Sequence, residues 1–315
     1  GKDIIVVTNR INDGNIFIFD RNGKALRKIN RFGQGGEEYS YSTEIILDED
    51  NGEMFVADAP AREILVYDLY GSFKRSFKFE DTGYYRFIYN YDRDNLICYK
   101  SYSPIDTEQA CHLIISKKDG SVTREIKIPF KEVKTPIMIV NVEGNELHIT
   151  FEFYLTVLHE GNWVLTHTSS DTVYRYLPDG HIIPFIVRTP SVHSMDPEVF
   201  LFPGVLADRY YFMQILKKEF DIERMKGSPQ INLVYDRQEK AIFESTVYNG
   251  DYSDKKQVHM NSEPVNSEIA ILQSLEAPDL VEAYGNGQLK GQLAEIAAGL
   301  DEESNPVIML IKHRK

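Results

Sequence analysis

The densest group of cation-binding side chains is Asp48-Glu49-Asp50-Asn51-Gly52-Glu53. A calcium loop needs another oxygen ligand before its glycine and a distant glutamate to complete the shell. The segment has neither and is expected to be a solvated hairpin turn. His159-Glu160 begins like a helical zinc motif, but Gly161-Asn162-Trp163 follows where the second histidine would stand. A turn between strands is expected there. Ser191, His193, Ser194 and Asp196 lie together between Pro190 and Pro197. Triads are assembled across a fold, and no Gly-x-Ser-x-Gly elbow occurs, so a loop is expected. Gly33-Gln34-Gly35-Gly36 lacks the following helix N-terminus that a phosphate cradle requires, because Tyr39-Ser40-Tyr41 leads into the strand-like Ile45-Ile46-Leu47. Tyr84-Tyr85-Arg86 sets aromatic faces beside a guanidinium, a pairing favoured at binding hot spots. These three residues are the ligand-binding candidates, with strand core or strand edge as the competing reading. No residue is assigned a catalytic or metal-binding role, and no cofactor is expected.

The net charge of −13 repels a phosphate backbone, so nucleic acid is excluded as an expected partner. The one dense basic run, Lys312-His313-Arg314-Lys315, reads as a solvated tail. No stretch of about 20 apolar residues exists to form a membrane-spanning helix. No charged-then-apolar leader opens the chain, and Gly1 reads as a remnant of tag removal. Cys98 and Cys111 sit in strand-like runs joined by a polar segment. A hairpin could place them opposite one another for a disulfide, and the plainer reading is two small buried thiols.

These residues must be positioned by strands. With 19 Tyr and 17 Phe against a single Trp, the composition favours pleated, half-buried surfaces. One unit recurs: an apolar strand, a turn, and a second strand of alternating polarity. It appears as Ile16-Phe17-Ile18-Phe19-Asp20 with Asn22-Gly23, and again as Ile64-Leu65-Val66-Tyr67-Asp68 with Gly71. Leu113-Ile114-Ile115-Ser116-Lys117 with Asp119-Gly120 is a third copy. Looser copies are Thr172-Val173-Tyr174-Arg175-Tyr176-Leu177 with Asp179-Gly180, and Asn232-Leu233-Val234-Tyr235-Asp236 without the glycine. Phased on Asp20, the copies fall at positions 20, 68, 117, 177 and 236. About four strands per ~50 residues is the arithmetic of a propeller blade. The sequence therefore predicts an all-β, six-bladed β-propeller over residues 1–315 as a single domain. The two chain ends, residues 3–8 and 306–311, are expected to complete the sixth blade. A short C-terminal helix over residues 286–300 is expected before the closing strand, with Leu289, Leu293, Ile296, Ala297 and Leu300 on one face. Histidines at 112, 148, 159, 167, 181, 193, 259 and 313 are scattered, but a propeller can gather distant residues at its channel.

Residues 52–77, with Phe55-Val56-Ala57-Asp58 and Arg62-Glu63-Ile64-Leu65-Val66-Tyr67-Asp68, resemble the NHL-type propeller repeat. Gly33-Gln34-Gly35-Gly36-Glu37-Glu38-Tyr39 resembles the Gly-Gln-Gly-Pro-Gly-Glu-Tyr loop of six-bladed propellers abundant in gut Gram-negative bacteria, departing from it at Gly36 and Glu37. Asp171-Thr172-Val173-Tyr174, Tyr210-Tyr211-Phe212 and Asn305-Pro306-Val307-Ile308 are similar to the same family. The resemblance implies a cell-envelope lipoprotein, periplasmic or attached to the outer membrane, whose signal segment is absent here and whose only membrane tie is a lipid anchor. It brings no activity and no catalytic residues. The expected function is a non-enzymatic scaffold binding a protein, peptide or glycan. The alternative is a metal-dependent propeller hydrolase, lactonase or lyase with its site at the central channel.

Overall fold

The computed structural model describes residues 1–9, 13–79, 83–101, 111–142, 144–149, 153–221, 227, 230–261 and 268–313. They form two compact units, Gly1–Pro129 and Phe130–Lys315. In the first unit, β1 (Ile4–Thr8), β2 (Asn15–Asp20) and β3 (Ala25–Asn30) make a three-stranded sheet. Then β4 (Glu44–Asp48), β5 (Glu53–Asp58), β6 (Glu63–Asp68) and β7 (Phe73–Lys78) make a four-stranded antiparallel meander. So do β8 (Tyr84–Asn90), β9 (Asn95–Ser101), β10 (Cys111–Ser116) and β11 (Val122–Ile126).

The second unit opens with the hairpin β12 (Met138–Val142) and β13 (Asn145–Ile149). Two more four-stranded meanders follow. The first comprises β14 (Thr156–His159), β15 (Asn162–Leu165), β16 (Thr172–Tyr176) and β17 (Ile182–Val187). The second comprises β18 (Val199–Leu206), β19 (Tyr210–Lys217), β20 (Gln230–Asp236) and β21 (Ala241–Glu244). A small hairpin of β22 (Val247–Tyr248) and β23 (Gln257–Val258) precedes β24 (Ile269–Leu275). Helices α1 (Ala277–Gly285) and α2 (Gly291–Ala297) separate β24 from its antiparallel partner β25 (Val307–Lys312). Repetition of a four-stranded meander as blade makes this an all-β chain of the β-propeller fold.

All five copies of the sequence repeat become the same structural part. They are β2–β3, β6–β7, β10–β11, β16–β17 and β20–β21, in each case the last two strands of their sheet. The recurring aspartate is a turn-builder. Asp20 Oδ1 accepts from the amides of Asn22 (2.8 Å) and Lys24 (2.9 Å), and Asp68 Oδ1 from those of Tyr70 and Ser72, both at 2.8 Å. Gly23 and Gly71 supply the positive φ, 81° and 88°, that the turns require. In the third copy the equivalent position is Ser116, one residue before the expected phase. The Ser116 amide bonds to Ser121 O and the Gly120 amide returns to Ser116 O, so this turn is one residue longer.

The blades stack because both faces of a central strand are apolar. All six residues of β5 are buried. Phe55 and Ala57 join Ile64 and Val66 in a cluster with Tyr85, Leu96, Cys98 and Leu113 of the β8–β11 sheet. Met54 and Val56 join Leu65 and Tyr67 on the opposite face, against Ile16, Ile18, Ile29 and Tyr39. In the second unit Val157, Val164 and Val173 pack on Leu206 and Tyr211, linking the β14–β17 and β18–β21 sheets.

Two expectations need correction. The single helix expected over residues 286–300 is the shorter α2, and a further helix, α1, lies wholly before that range. Gly287 at φ 67° follows the end of α1, and the extended Lys290 restarts the chain before α2. Leu293 and Ala297 are buried with Leu280 and Ala283, whereas Leu289 lies outside the helix in a bridge to Tyr252, and Ile296 is exposed. The acidic segment 48–53 does form the β4–β5 turn, but it is not solvated throughout. Asp48 is buried and accepts from Lys117 Nζ at 2.6 Å, while Lys117 also donates to Asp92 O at 2.6 Å. Glu53 takes a two-pronged contact from Arg75, both bonds 2.7 Å, and a further contact from Lys74.

Lys117→Met strands the Asp48 carboxylate in the interior and is expected to cost on the order of 3 kcal/mol in urea unfolding. A loss within about 0.5 kcal/mol, the scale of an ordinary surface substitution, would count against that buried pair. The Arg75 guanidinium holds the Glu53 carboxyl down at about 2. Because the folded value lies below the unfolded one of 4.5, this contribution is complete above pH 4.5 and fades as pH falls toward about 2. The stability gap between the native chain and Glu53→Gln should therefore narrow from pH 5 to pH 3, measured by denaturation at each pH.

Candidate functional site

The residues that converge in space are not those closest in sequence. His159 ends β14, and Glu160-Gly161 forms the two-residue turn to β15, with His159 opposite Asn162. Both turn residues have positive φ, 50° and 72°, as in a type I′ hairpin. Asn, Asp or Gly normally fills the first of these positions. A glutamate there has backbone strain of about 1–2 kcal/mol. Arg175 lies on β16, two residues from the core residue Val173 and so on the same face of the sheet. Arg237 follows β20, its amide bonded to Arg209 O at 2.9 Å and its guanidinium to Asp208 O at 2.6 Å. The repeat aspartate Asp236 fixes this corner. It accepts from Arg209 at 2.7 and 3.0 Å and from the turn amides of Gln238 and Glu239. The Arg209 contact lowers its carboxyl below the usual range.

Around Glu160 the contacts are all long. Its carboxylate stands 3.6 Å from Arg175, 3.8 Å from Arg237 and 3.6 Å from His159 Nε2. Aromatic rings hold the cations from behind: Arg175 lies over Phe185 at 4.5 Å and Arg237 over Tyr211 at 5.2 Å. Tyr211 in turn meets His159 edge-on at 5.4 Å and Tyr235 at 6.1 Å. His159 is buried, and its Nδ1 lies 3.1 Å from Leu206 O. That carbonyl can only accept, which places the proton on Nδ1 and leaves Nε2 as a lone pair. Burial pushes the imidazole below its ordinary value, so the ring is neutral near pH 7. His159 Nε2 and Arg175 Nε are both buried without a hydrogen-bond partner. Two guanidinium groups, one carboxylate and one neutral imidazole thus meet at the turn end of two adjacent sheets.

The ligand-binding candidates of the sequence fall elsewhere. Tyr84 lies in β8 opposite Ser101. Tyr85 is buried against Phe79, ring centroids 4.2 Å apart, in the first unit's core. Arg86 is exposed, lying over Phe87 at 5.1 Å beside a bulge whose Phe87 and Ile88 amides donate to Glu44. Burial raises that Glu44 carboxyl. Ser191 caps a short 3₁₀ turn and donates directly to Asp171, while His193 Nε2 faces Ser169 O at 3.1 Å, so serine and histidine are not aligned as a relay. Gly33 to Glu38 form the turn into β4, anchored by Tyr39, whose hydroxyl donates to Gly14 O at 2.6 Å. Among the described residues, no cluster of three or more His, Cys, Asp or Glu side chains is arranged to hold a metal.

Cys98 and Cys111 are buried free thiols on neighbouring strands, set diagonally: Cys98 faces Leu113 and Cys111 faces Lys100. Diagonal neighbours stand too far apart for the Cβ spacing of about 3.5–4.5 Å that a disulfide needs. Burial pushes Cys98 well above the ordinary thiol range and Cys111 up to about 12.

Arg175 and Arg237 were not legible as a pair, since they lie in different repeat copies. The usable signal was that Arg175 follows the core residue Val173 at strand spacing and carries charge on a face otherwise apolar.

The meander blades define the chain as a propeller, and comparison places it further. Residues 1–312 match the family described as a domain of unknown function, DUF4934, and the chain belongs to that family. It is similar to a Bacteroides fragilis protein predicted to be exported, with 14% identity over 99% of this chain and 88% of that one and a TM-score of 0.61. It is also similar to a DUF4221 member from Bacteroides vulgatus, at 11% identity over 79% and 85% of the two chains, TM-score 0.46. Virginiamycin B lyase from Staphylococcus aureus matches at 11% identity over 79% and 86%, TM-score 0.41. No curated protein sequence matches the chain.

Neither thiol is ionised or exposed at neutral pH, so the folded protein should resist a thiol reagent such as DTNB until denaturant is added. Release of two equivalents from the native state would overturn this reading.

Proposed function

We propose that the chain is a non-enzymatic binding propeller of the bacterial cell envelope that holds a protein, peptide or glycan at the turn end of the β14–β17 and β18–β21 sheets. One observation carries the reading. Arg175 of β16 and two turn residues, Arg237 and Glu160, converge on an aromatic floor, and apart from the Arg237 bond to Asp208 O they meet through ion pairs of 3.6 and 3.8 Å rather than hydrogen bonds. Arginine and tyrosine in this setting are the residue types that dominate binding energy. Loops at the ends of a rigid blade are where such folds carry recognition. An envelope location is supported by the likeness to a protein predicted to be exported and by the resemblance to lipoprotein propellers. A lipid anchor on a preceding segment would tether it there.

The test is retention of ligands from a glycan array and an envelope extract on the immobilised protein, beside a variant carrying Arg175→Met and Arg237→Met. A defined ligand held by the native chain and lost at least tenfold by the double variant is expected, each ligand contact to a charged group being worth about 1.5–3 kcal/mol. Stoichiometric divalent metal in the purified protein, together with turnover of a lactone or glycoside, would replace this reading with the hydrolase or lyase one.

A further inference from the structure

The three long contacts of Glu160 describe a carboxylate that touches every group around it and bonds to none. At 3.6 to 3.8 Å it neutralises Arg175 and Arg237 through space, but it lies beyond the reach of an N–H···O bond. Its closeness to His159 Nε2 adds no bond either, because that atom carries a lone pair. Beneath it, Arg175 Nε and His159 Nε2 are buried without partners. A buried donor left unmatched is costly in a native protein and calls for an explanation. Two arginine–carboxylate pairs elsewhere in the same chain close fully, although Arg188–Asp171 stays open at 3.9 Å. Arg75 grips Glu53 with two bonds of 2.7 Å, and Arg209 grips Asp236 at 2.7 and 3.0 Å.

The backbone adds a supporting observation. Glu160 occupies the first position of a two-residue turn with φ 50°, where its side chain brings strain that asparagine or glycine would relieve. Arg62, Phe87, Lys240 and Lys255 also hold positive φ, so the strain bears on a role for Glu160 only together with the unmatched groups beside it. The side chain is accessible, Glu160 being 44% exposed and Arg237 41%. Displacing it would uncover two guanidinium forks, held flat by Phe185 and Tyr211, with the geometry that pairs two oxygens at once.

We propose that the Arg175 and Arg237 guanidinium groups beside Glu160 form a carboxylate-binding site, and that Glu160 is its resident competitor, displaced when the carboxylate of an acidic ligand enters. A carboxylate is favoured over a polyanion because the chain carries a net charge of −13, and a lone short-range pair of forks must work against that field. The inference rests on the proposed binding role of this end of the sheets and specifies its ligand class.

The test uses the full chain, arginine Nε–Hε NMR signals, and titration with acetate, D-glucuronate, inorganic phosphate and uncharged glucose. Acetate and glucuronate are expected to shift the Arg175 and Arg237 signals and glucose to leave them unchanged, while phosphate binds more weakly than acetate. Glu160→Gln keeps the shape and removes the competitor, so it should tighten acetate about tenfold, whereas a merely structural glutamate would leave affinity unchanged or weaken it. Arg237→Met, at the more exposed of the two cations, should abolish the response, with its remaining spectrum showing that the fold is intact. Absence of any carboxylate-dependent shift in both the native chain and Glu160→Gln would overturn the site. Unchanged or weaker binding in Glu160→Gln would overturn the competitor role. Phosphate binding more tightly than acetate would overturn the carboxylate assignment. A glycan or peptide that needs Arg175 and Arg237 but ignores acetate would sink the carboxylate class and leave the binding role standing. Loss of both would remove the two together.

Discussion

A four-stranded antiparallel sheet with two apolar faces has nowhere to put them except against further sheets. Strand β5 shows the demand most plainly: every residue from Glu53 to Asp58 is buried, with alternate side chains committed to opposite neighbours. Burying apolar surface at roughly 25 cal/mol per Å² rewards stacking of repeated units over any arrangement that leaves one face wet. The repeat in the chain is the covalent expression of that demand. Each copy must present the same two faces, so the same hairpin with the same turn chemistry returns in β2–β3, β6–β7, β10–β11, β16–β17 and β20–β21.

Once the faces are committed to packing, variation is confined to turns and strand ends. The repeat aspartate shows how one position can be redirected there. Asp20 and Asp68 only build their turns, whereas Asp236 builds its turn and anchors Arg209, which sets the backbone that presents Arg237. In the first unit a lysine beside the repeat position, Lys117, has been turned inward to meet Asp48. Identical scaffolding thus yields a buried structural ion pair in one unit and an open, aromatic-backed cationic cluster in the other. The difference lies in completeness: Lys117 and Arg75 have oxygen partners within 2.8 Å, while Arg175 faces Glu160 at 3.6 Å.

Much of the architecture was legible from residues 16–24, 64–72 and 113–120, because tight turns need Asx side chains and positive-φ glycines at set offsets from an apolar run. The helical region was legible only in part. Apolar spacing over residues 286–300 ignored Gly287 and Gly291, both of positive φ, which split one expected helix into a bridge and a shorter helix. The acidic turn at 48–53 misled in the same way. Charge in a hairpin reads as solvated until the partner is known, and Lys117 lies 69 residues from Asp48.

From residue order alone came the all-β class, the blade unit and the free-standing character of the two thiols as one of two readings, since each depends on local periodicity and local turn geometry. Which charges meet was decided only in three dimensions. His159 and Glu160 looked like half a zinc motif, Arg175 like a strand residue and Arg237 like a turn residue. Packing of Val157, Val164 and Val173 against Leu206 and Tyr211 brings them to one place. A side chain's neighbours across two sheets are set by how the sheets stack, and no spacing along one strand encodes that.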